Sequence, residues 1–274
     1  MTEPAGPQRV VALLGVGKLG EALLSGLLRS GMPVGALLAA ERYADRAAEI
    51  AERYGVATPT PEQATARADV LLLAVKPQDM RALLTEIAPH LRPGTLVVSM
   101  AAGIPTSLLA QLLPDGTHVV RVMTNTPVFV DEAMSAISAG AHAGPEQLQL
   151  VEDLLTPVGK VVRVPESQQD AVTALSGSGP AYFFFLVEAM IDAGILLGLP
   201  RAVAAELIVQ TAVGSARMLR ESGEHPVLLR EAVTSPGGTT IAAIRTMEDR
   251  GVRAAMLAAI EAARDRSREL AADS

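Results

Sequence analysis

Gly15-Val16-Gly17-Lys18-Leu19-Gly20 has glycines at its first, third and sixth positions, between the apolar run Val10–Leu14 and the helix-patterned Leu19–Arg29. In that setting each glycine has a task. The first permits a tight turn, the second lets backbone approach a pyrophosphate, and the third lets helix and strand pack closely. The helix start then presents N–H groups and a partial positive charge to the phosphates. Glu41 follows at the end of a second apolar run, about 20 residues on, which is where such a site takes its ribose ligand. Its carboxylate would accept a ribose 2′-hydroxyl, whereas Arg42 beside it would pair with a 2′-phosphate. NAD and NADP both remain open, and Arg42 reads equally well as a solvated charge on the next helix. The blander alternative for the motif is a plain Gly-rich turn; its strand-before, helix-after context favours dinucleotide binding.

Two further runs end on small or turn-forming residues. Ala74-Val75-Lys76-Pro77 closes the apolar run Val70–Val75, and Met100-Ala101-Ala102-Gly103 closes Leu96–Met100. Ligands of open α/β sheets gather at the carboxyl ends of strands. Lys76 can therefore sit near the nucleotide, or be a surface lysine ahead of a helix-starting proline. The small residues after Met100 would let backbone lie against a flat ring.

In the second half, Ser176-Gly177-Ser178-Gly179-Pro180 precedes a long apolar helix pattern. Ser235-Pro236-Gly237-Gly238-Thr239-Thr240 makes a sharp turn and then a helix start. Helix N–H groups with adjacent hydroxyls suit a small carboxylate, and an ordinary N-cap and turn would use the same residues. His90, His118, His142 and His225 are scattered without metal-ligand spacing, and no metal site is expected. No serine lies in a nucleophile elbow with a partnered base. Reduction of a ketone leaves an alkoxide that needs a proton donor. Reduction of an already protonated imine leaves a neutral amine and asks mainly for orientation and a carboxylate anchor. A hydroxyl such as that of Thr240 could supply the hydrogen bond.

The elements that must position these runs follow from hydrophobic pattern. Val10–Leu14, Val34–Ala40, Val70–Val75, Leu96–Met100 and Val119–Met123 read as strands, with Gly55–Ala57 a brief candidate. Ala133–Ser138 and Lys160–Val164 read as late strands at a sheet edge. Arg42–Tyr54 and a segment after Pro77 to Ile87 read as helices between them. Strands apolar at every position, alternating with helices, predict a doubly wound parallel sheet over residues 9–165. From Ala171 the pattern is helical throughout: Ala181–Leu199, Arg201–Glu221, Pro226–Val233, Thr239–Arg250 and Val252–Ala272. The expected organisation is α/β: a Rossmann-type dinucleotide-binding domain at residues 1–165, then an all-helical dimerisation and substrate domain at residues 166–274.

Composition limits the function classes. The chain has 274 residues, enough to bury a full core. Hydrophobic residues make up 49% and aromatics 3%, so Ala, Leu, Val and Ile must build that core. A net charge of −7 argues against general nucleic-acid binding. Cysteine is absent, which excludes disulfides and thiolate metal sites and fits a cytoplasmic protein. The polar, Pro-rich Met1–Arg9 lacks a signal-peptide profile. No charge-free apolar run reaches about 18 residues, so no membrane span is expected.

These motifs together resemble the pyrroline-5-carboxylate reductase family along nearly the whole chain. The resemblance is carried by Gly15–Gly20, Ala74–Pro77, Arg121-Val122-Met123-Thr124-Asn125-Thr126-Pro127, Asp170–Tyr182 and Thr234–Thr240. It implies reduction of L-1-pyrroline-5-carboxylate to L-proline with NAD(P)H, the last step of proline biosynthesis, with NADP favoured over NAD. It implies a homodimer that builds larger homo-oligomers, its active site between the Rossmann domain of one subunit and helices of its partner. By motif match, Leu14, Gly15, Val16, Gly17, Lys18 and Leu19 would hold the cofactor. Glu41, Arg42, Ala74, Val75, Lys76, Pro77, Met100, Ala101 and Ala102 would complete its site. Glu166, Ser235, Gly237, Gly238, Thr239 and Thr240 would bind substrate, with Thr240 nearest the ring nitrogen as the catalytic hydroxyl. Thr124 stands where many bacterial members carry Pro, and Glu41 where several carry a small polar residue.

Overall fold

The structure, a computed structural model, describes residues 9–272. All of Met1–Arg9 except Arg9 lies outside the described residues. The chain forms two compact units, Met1–Ser178 with Ala263–Ser274, and Gly179–Ala262.

The first unit is built on a sheet in the order β2-β1-β3-β4-β5-β6-β7. Its strands are β1 (Val11–Leu14), β2 (Leu37–Ala40), β3 (Val70–Leu73), β4 (Leu96–Ser99), β5 (His118–Met123), β6 (Ala133–Ala139) and β7 (Gly159–Arg163). Between them run α1 (Lys18–Arg29), α2 (Ala44–Tyr54), α3 (Pro61–Thr65), α4 (Pro77–Ile87), α5 (Thr106–Leu112) and α6 (Pro145–Leu155). Every residue of β1 to β4 is buried, which explains their unbroken apolar sequences. Alternate side chains divide between two cores. Val11, Leu13, Val70, Leu72 and Val98 join Leu23, Leu24 and Leu27 of α1 on one face. Ala12, Leu14, Leu71, Leu73 and Val97 join Met80, Leu84 and Ile87 of α4 on the other.

Several sequence expectations change. The run Val34–Ala40 is divided into a 3-10 turn over Val34–Ala36 and the strand β2. Gly55–Ala57 contributes only an isolated bridge from Ala57 to Leu38. The sheet is not wholly parallel: β6 runs antiparallel to β5 and lies inside the sheet, with β7 parallel to it at the edge. Strand direction depends on the connection. The short Thr124–Glu132 segment returns the chain at the same end, whereas parallel pairs need a long crossover.

The first unit continues through α7 (Gln169–Val172) and a π-helical turn, Thr173–Gly177. The helical unit holds α8 (Gly179–Leu196), α9 (Arg201–Ser222), α10 (Pro226–Ala232) and α11 (Thr239–Asp249); α12 (Val252–Ala272) runs from it into the first unit. Helices α8 and α9 pack closely at Gly194, where a Cβ would stand 2.8 Å from the Ala204 Cβ. Elsewhere on these helices Phe183, Phe184, Phe185, Leu196 and Leu207 are exposed, as is Leu197 in the turn that follows α8. By length and composition Glu166–Leu196 and Arg201–Ser222 are apolar enough to cross a membrane, although Glu188 and Asp192 interrupt the first. Apolar helix faces that pack on another protein surface meet the same criterion.

Glu21 of α1 ties that helix to α2. It accepts hydrogen bonds from Arg53 at 2.6 Å, from the Tyr54 hydroxyl at 2.8 Å and from Arg46. Burial alone would raise the Glu21 carboxyl, but the bonds from Arg46, Tyr54 and Arg53 outweigh it and hold the carboxyl below its usual value. The stability it contributes is present above the unfolded-state value of about 4.3 and is lost as pH falls through the lower folded value. Denaturant unfolding should find Glu21→Gln less stable than the native chain at pH 7. That gap should close on acidification below about pH 4. A gap that stayed constant with pH would remove Glu21 as a titrating tie.

Candidate functional site

The cofactor residues expected from sequence assemble at the carboxyl ends of the central strands. Gly15 adopts φ +89°, left-handed backbone that suits glycine, and Gly15 N–H donates to the Ala40 carbonyl at 2.8 Å. A Cβ on Gly15 would stand 2.8 Å from Val75 Cγ1 and 3.1 Å from the Ala74 carbonyl, so the Gly-rich turn lies directly on Ala74–Val75. The strand ladder continues past β3 and β4, with Ala74 N–H on Leu14 O at 2.9 Å and Met100 N–H on Leu73 O at 3.0 Å. Leu14–Leu19, Ala74–Pro77 and Met100–Ala102 are thus brought to one end of adjacent strands. Met100 and Ala101 are buried, while Ala102, Lys76 and Pro77 are exposed.

Helix α1 begins at Gly17, an N-cap with no side chain to close it. Its first-turn N–H groups have no intrahelical acceptor. Gly20 packs so tightly that a Cβ would stand 2.2 Å from the Gly15 carbonyl oxygen. Gly15 and Gly20 thus make the tight turn and the close packing that their spacing predicts, and the open helix start is a candidate cradle for a pyrophosphate.

Glu41 has a local partner. Its carboxylate accepts Val16 N–H at 2.8 Å and Tyr43 N–H at 3.3 Å, and Arg46 Nε reaches the Val16 carbonyl at 3.2 Å. The acid thus braces the Gly-rich turn. Arg42 is exposed beside it at the carboxyl end of β2.

The helical unit holds the second constellation. Gly238 N–H donates to Ser235 O at 3.1 Å and Gly237 takes φ +66°, so Ser235-Pro236-Gly237-Gly238 forms a tight turn of type II character. Gly238 then serves as the N-cap of α11, again without a side-chain cap. The first-turn N–H groups and the Thr239 and Thr240 hydroxyls stand together at that helix start. Ser235, Gly237 and Thr239 are exposed, and Gly238 and Thr240 half-buried.

Glu166 lies in the first unit, apart in sequence from that turn. Thr106 N–H donates to its Oε1 at 2.7 Å and the Thr106 hydroxyl to its Oε2 at 2.5 Å. Arg121 Nη1 is 3.4 Å from Oε1. The carboxylate therefore closes the start of α5 and pairs with Arg121, which is only 5% exposed in β5. Nearby, Gln169 Nε2 donates to Ser138 Oγ at 2.8 Å, while Arg121 Nη2 and Gln169 Oε1 are buried without a hydrogen-bond partner. Thr106 and Gln169 were not foreseen. Arg121 was legible as a charge inside an apolar strand, which must be paired, but its partner 45 residues away was not.

A family model described as pyrroline-5-carboxylate reductase dimerisation matches residues 166–270. A second, described as NADP oxidoreductase coenzyme F420-dependent, matches residues 10–103. A pyrroline-5-carboxylate reductase of Corynebacterium melassecola is 46% identical, the match covering 95% of this chain and 98% of the relative. Among solved structures, the pyrroline-5-carboxylate reductase of Coxiella burnetii superposes with a TM-score of 0.91 at 35% identity, covering 96% of this chain and 99% of that one. The Plasmodium falciparum pyrroline carboxylate reductase with NADP bound gives 0.87 at 26% identity, covering 97% and 100%.

The tight approach of Gly20 to Gly15 generates a direct test. Gly20→Ala should weaken NADPH binding by about tenfold or more, as forced overpacking of 1–3 kcal/mol displaces the turn. Fluorescence titration reads the change. An unaltered dissociation constant would separate the Gly-rich turn from cofactor binding.

Proposed function

The chain belongs to the pyrroline-5-carboxylate reductase family, and from that premise we propose how its residues divide the reaction between them. It is an NAD(P)H-dependent oxidoreductase that reduces L-1-pyrroline-5-carboxylate to L-proline. The functional division falls between residues 1–165, which carry the cofactor, and residues 166–274, which carry substrate and the subunit contact.

Leu14–Leu19 hold the pyrophosphate on the uncapped start of α1. Ala74–Pro77 and Met100–Ala102 line the strand ends along which the rest of the dinucleotide lies. When bound, the reduced nicotinamide supplies a hydride to the imine carbon. Arg42 is exposed and Glu41 is engaged by Val16 and Tyr43, which supports a preference for the 2′-phosphate of NADP.

The single observation behind the substrate assignment is the start of α11. A type II turn, a glycine N-cap and two threonines present N–H groups and hydroxyls at one point. The amides there hold the substrate carboxylate, favoured also by the positive end of the helix. Ser235, Gly237, Gly238 and Thr239 shape that anchor. Thr240 accepts the N–H of the protonated ring nitrogen and fixes the imine carbon toward the hydride. The nitrogen takes up the C=N electron pair and becomes a neutral amine, so no strong acid is required of the protein. We assign Glu166 to the substrate as well; its carboxylate is oriented by Thr106 and Arg121.

The exposed Phe183–Phe185 and Leu196–Leu197, in a segment matched by a dimerisation family, support a homodimer that builds larger homo-oligomers. The substrate turn of one subunit serves the cofactor of its partner. A cysteine-free chain of net charge −7 supports a cytoplasmic enzyme without nucleic-acid or membrane partners.

Thr240→Ala should lower kcat with pyrroline-5-carboxylate by about 10- to 100-fold, the loss of one hydrogen bond to a charged group, and leave the KM for NADPH unchanged. NADPH oxidation followed at 340 nm, with NADH and a six-membered cyclic imine as comparisons, measures this. Unchanged turnover would take Thr240 out of the mechanism, and no oxidation by the native enzyme would end the reading.

A further inference from the structure

Asn125 stands two residues beyond the end of β5, among the strand ends that form the cofactor site. Its Oδ1 accepts Met134 N–H at 2.9 Å. A backbone N–H can only donate, so the amide orientation is fixed and Nδ2 turns the other way. There it lies 3.2 Å from the Ser176 carbonyl oxygen and 3.4 Å from Ser176 Oγ. Ser176 belongs to the π-helical turn Thr173–Gly177, in which Ser178 N–H bonds back to Thr173 O at 2.8 Å, five residues earlier. Such wide turns are rare and cluster at functional sites.

The neighbouring residue fixes where the turn sits. A Cβ on Gly177 would stand 2.5 Å from Met123 Cε, so Gly177 lies directly on the last residue of β5. Strand β5 pairs with β4 in the register Ser99 opposite Arg121. β5 thus ends beside β4, the strand that leads into Met100–Ala102. The wide turn is therefore held at the carboxyl end of β5, next to the strand that leads into Met100–Ala102, by one amide and one glycine contact.

We propose that Asn125 is a positioning residue for hydride transfer: through Ser176, its amide holds the turn Thr173–Gly177 against the Met100–Ala102 loop. The proposal rests on the reading of that loop as part of the nicotinamide's bed. A donor is required at Nδ2, because the group it faces is a carbonyl oxygen. Asn125→Asp keeps the shape and the acceptor for Met134 but turns a carboxylate oxygen toward that carbonyl. Protonation of the new carboxyl restores a donor, and the adjacent carbonyl raises its pKa.

The test is the pH profile of kcat for the native enzyme, N125D and N125A with saturating NADPH and pyrroline-5-carboxylate. N125D should lose roughly tenfold in kcat near pH 8, equivalent to one hydrogen bond, with the KM for NADPH unchanged. The ratio of N125D to native kcat should rise as pH falls toward about 5.5, while the N125A ratio stays flat. Should N125D fail to fold, N125S, whose hydroxyl still donates, should retain more turnover than N125A. A pH-independent N125D deficit, full N125D activity, or equal N125S and N125A turnover overturns the proposal. A native enzyme that does not oxidise NADPH overturns the reading beneath it, whereas an active native enzyme with an indifferent N125D removes only Asn125.

Discussion

Helices α1 and α11 begin on glycine, as α6 also does at Gly144, and neither α1 nor α11 has a side chain to satisfy its first N–H groups. Helix starts leave several donors without partners, and proteins ordinarily close them with Ser, Thr, Asp or Asn. Leaving them open costs stability unless an anion completes them. In the proposed reading the anion at α1 is the pyrophosphate, and at α11 the substrate carboxylate. That reading asks little more of the protein than two anchors, because reduction of a protonated imine creates no charge that must be neutralised. Neither Ser176–Pro180 nor Ser235–Thr240 contains a histidine or lysine, which fits that chemistry.

The rest of the first unit serves to keep the α1 anchor still. Fully apolar strands carry the Gly-rich turn, Ala74–Val75 and Met100–Ala101 to the same level. Polar ties then brace the loops: Glu41 holds Val16, Glu166 holds the start of α5, and Asn125 holds the π-helical turn. Each replaces water around a buried or half-buried backbone group with a fixed partner, which matters because an unpartnered one costs about 1–3 kcal/mol. The helical unit is different. Its Phe183–Phe185 segment is exposed in the single chain, an apolar surface of the kind that another protein surface covers.

Much of this was legible in the sequence, for definite reasons. Short unbroken apolar runs ending in small or turn-forming residues identified β1, β3 and β4, since strands covered on both faces have that composition. The Gly-rich turn and the Ser235–Thr240 turn were visible because glycine and proline constrain backbone locally. What was not visible depends on contacts distant in sequence. The antiparallel direction of β6 is set by how its connection folds, and Val34–Ala36 turns although its residues are as apolar as a strand's. The π-helical turn at Thr173–Gly177 has no composition of its own. The Arg121–Glu166–Thr106 cluster joins three elements whose pairing no local pattern records.

The claim that two uncapped helix starts hold the two ends of the reaction is tested most directly by a crystal structure with NADP and L-proline bound. The account predicts pyrophosphate oxygens within about 3 Å of the amides at the start of α1, and the proline carboxylate at the same distance from those of Thr239 and Thr240. A proline carboxylate held by lysine or arginine side chains, with the α11 amides left to water, would contradict it.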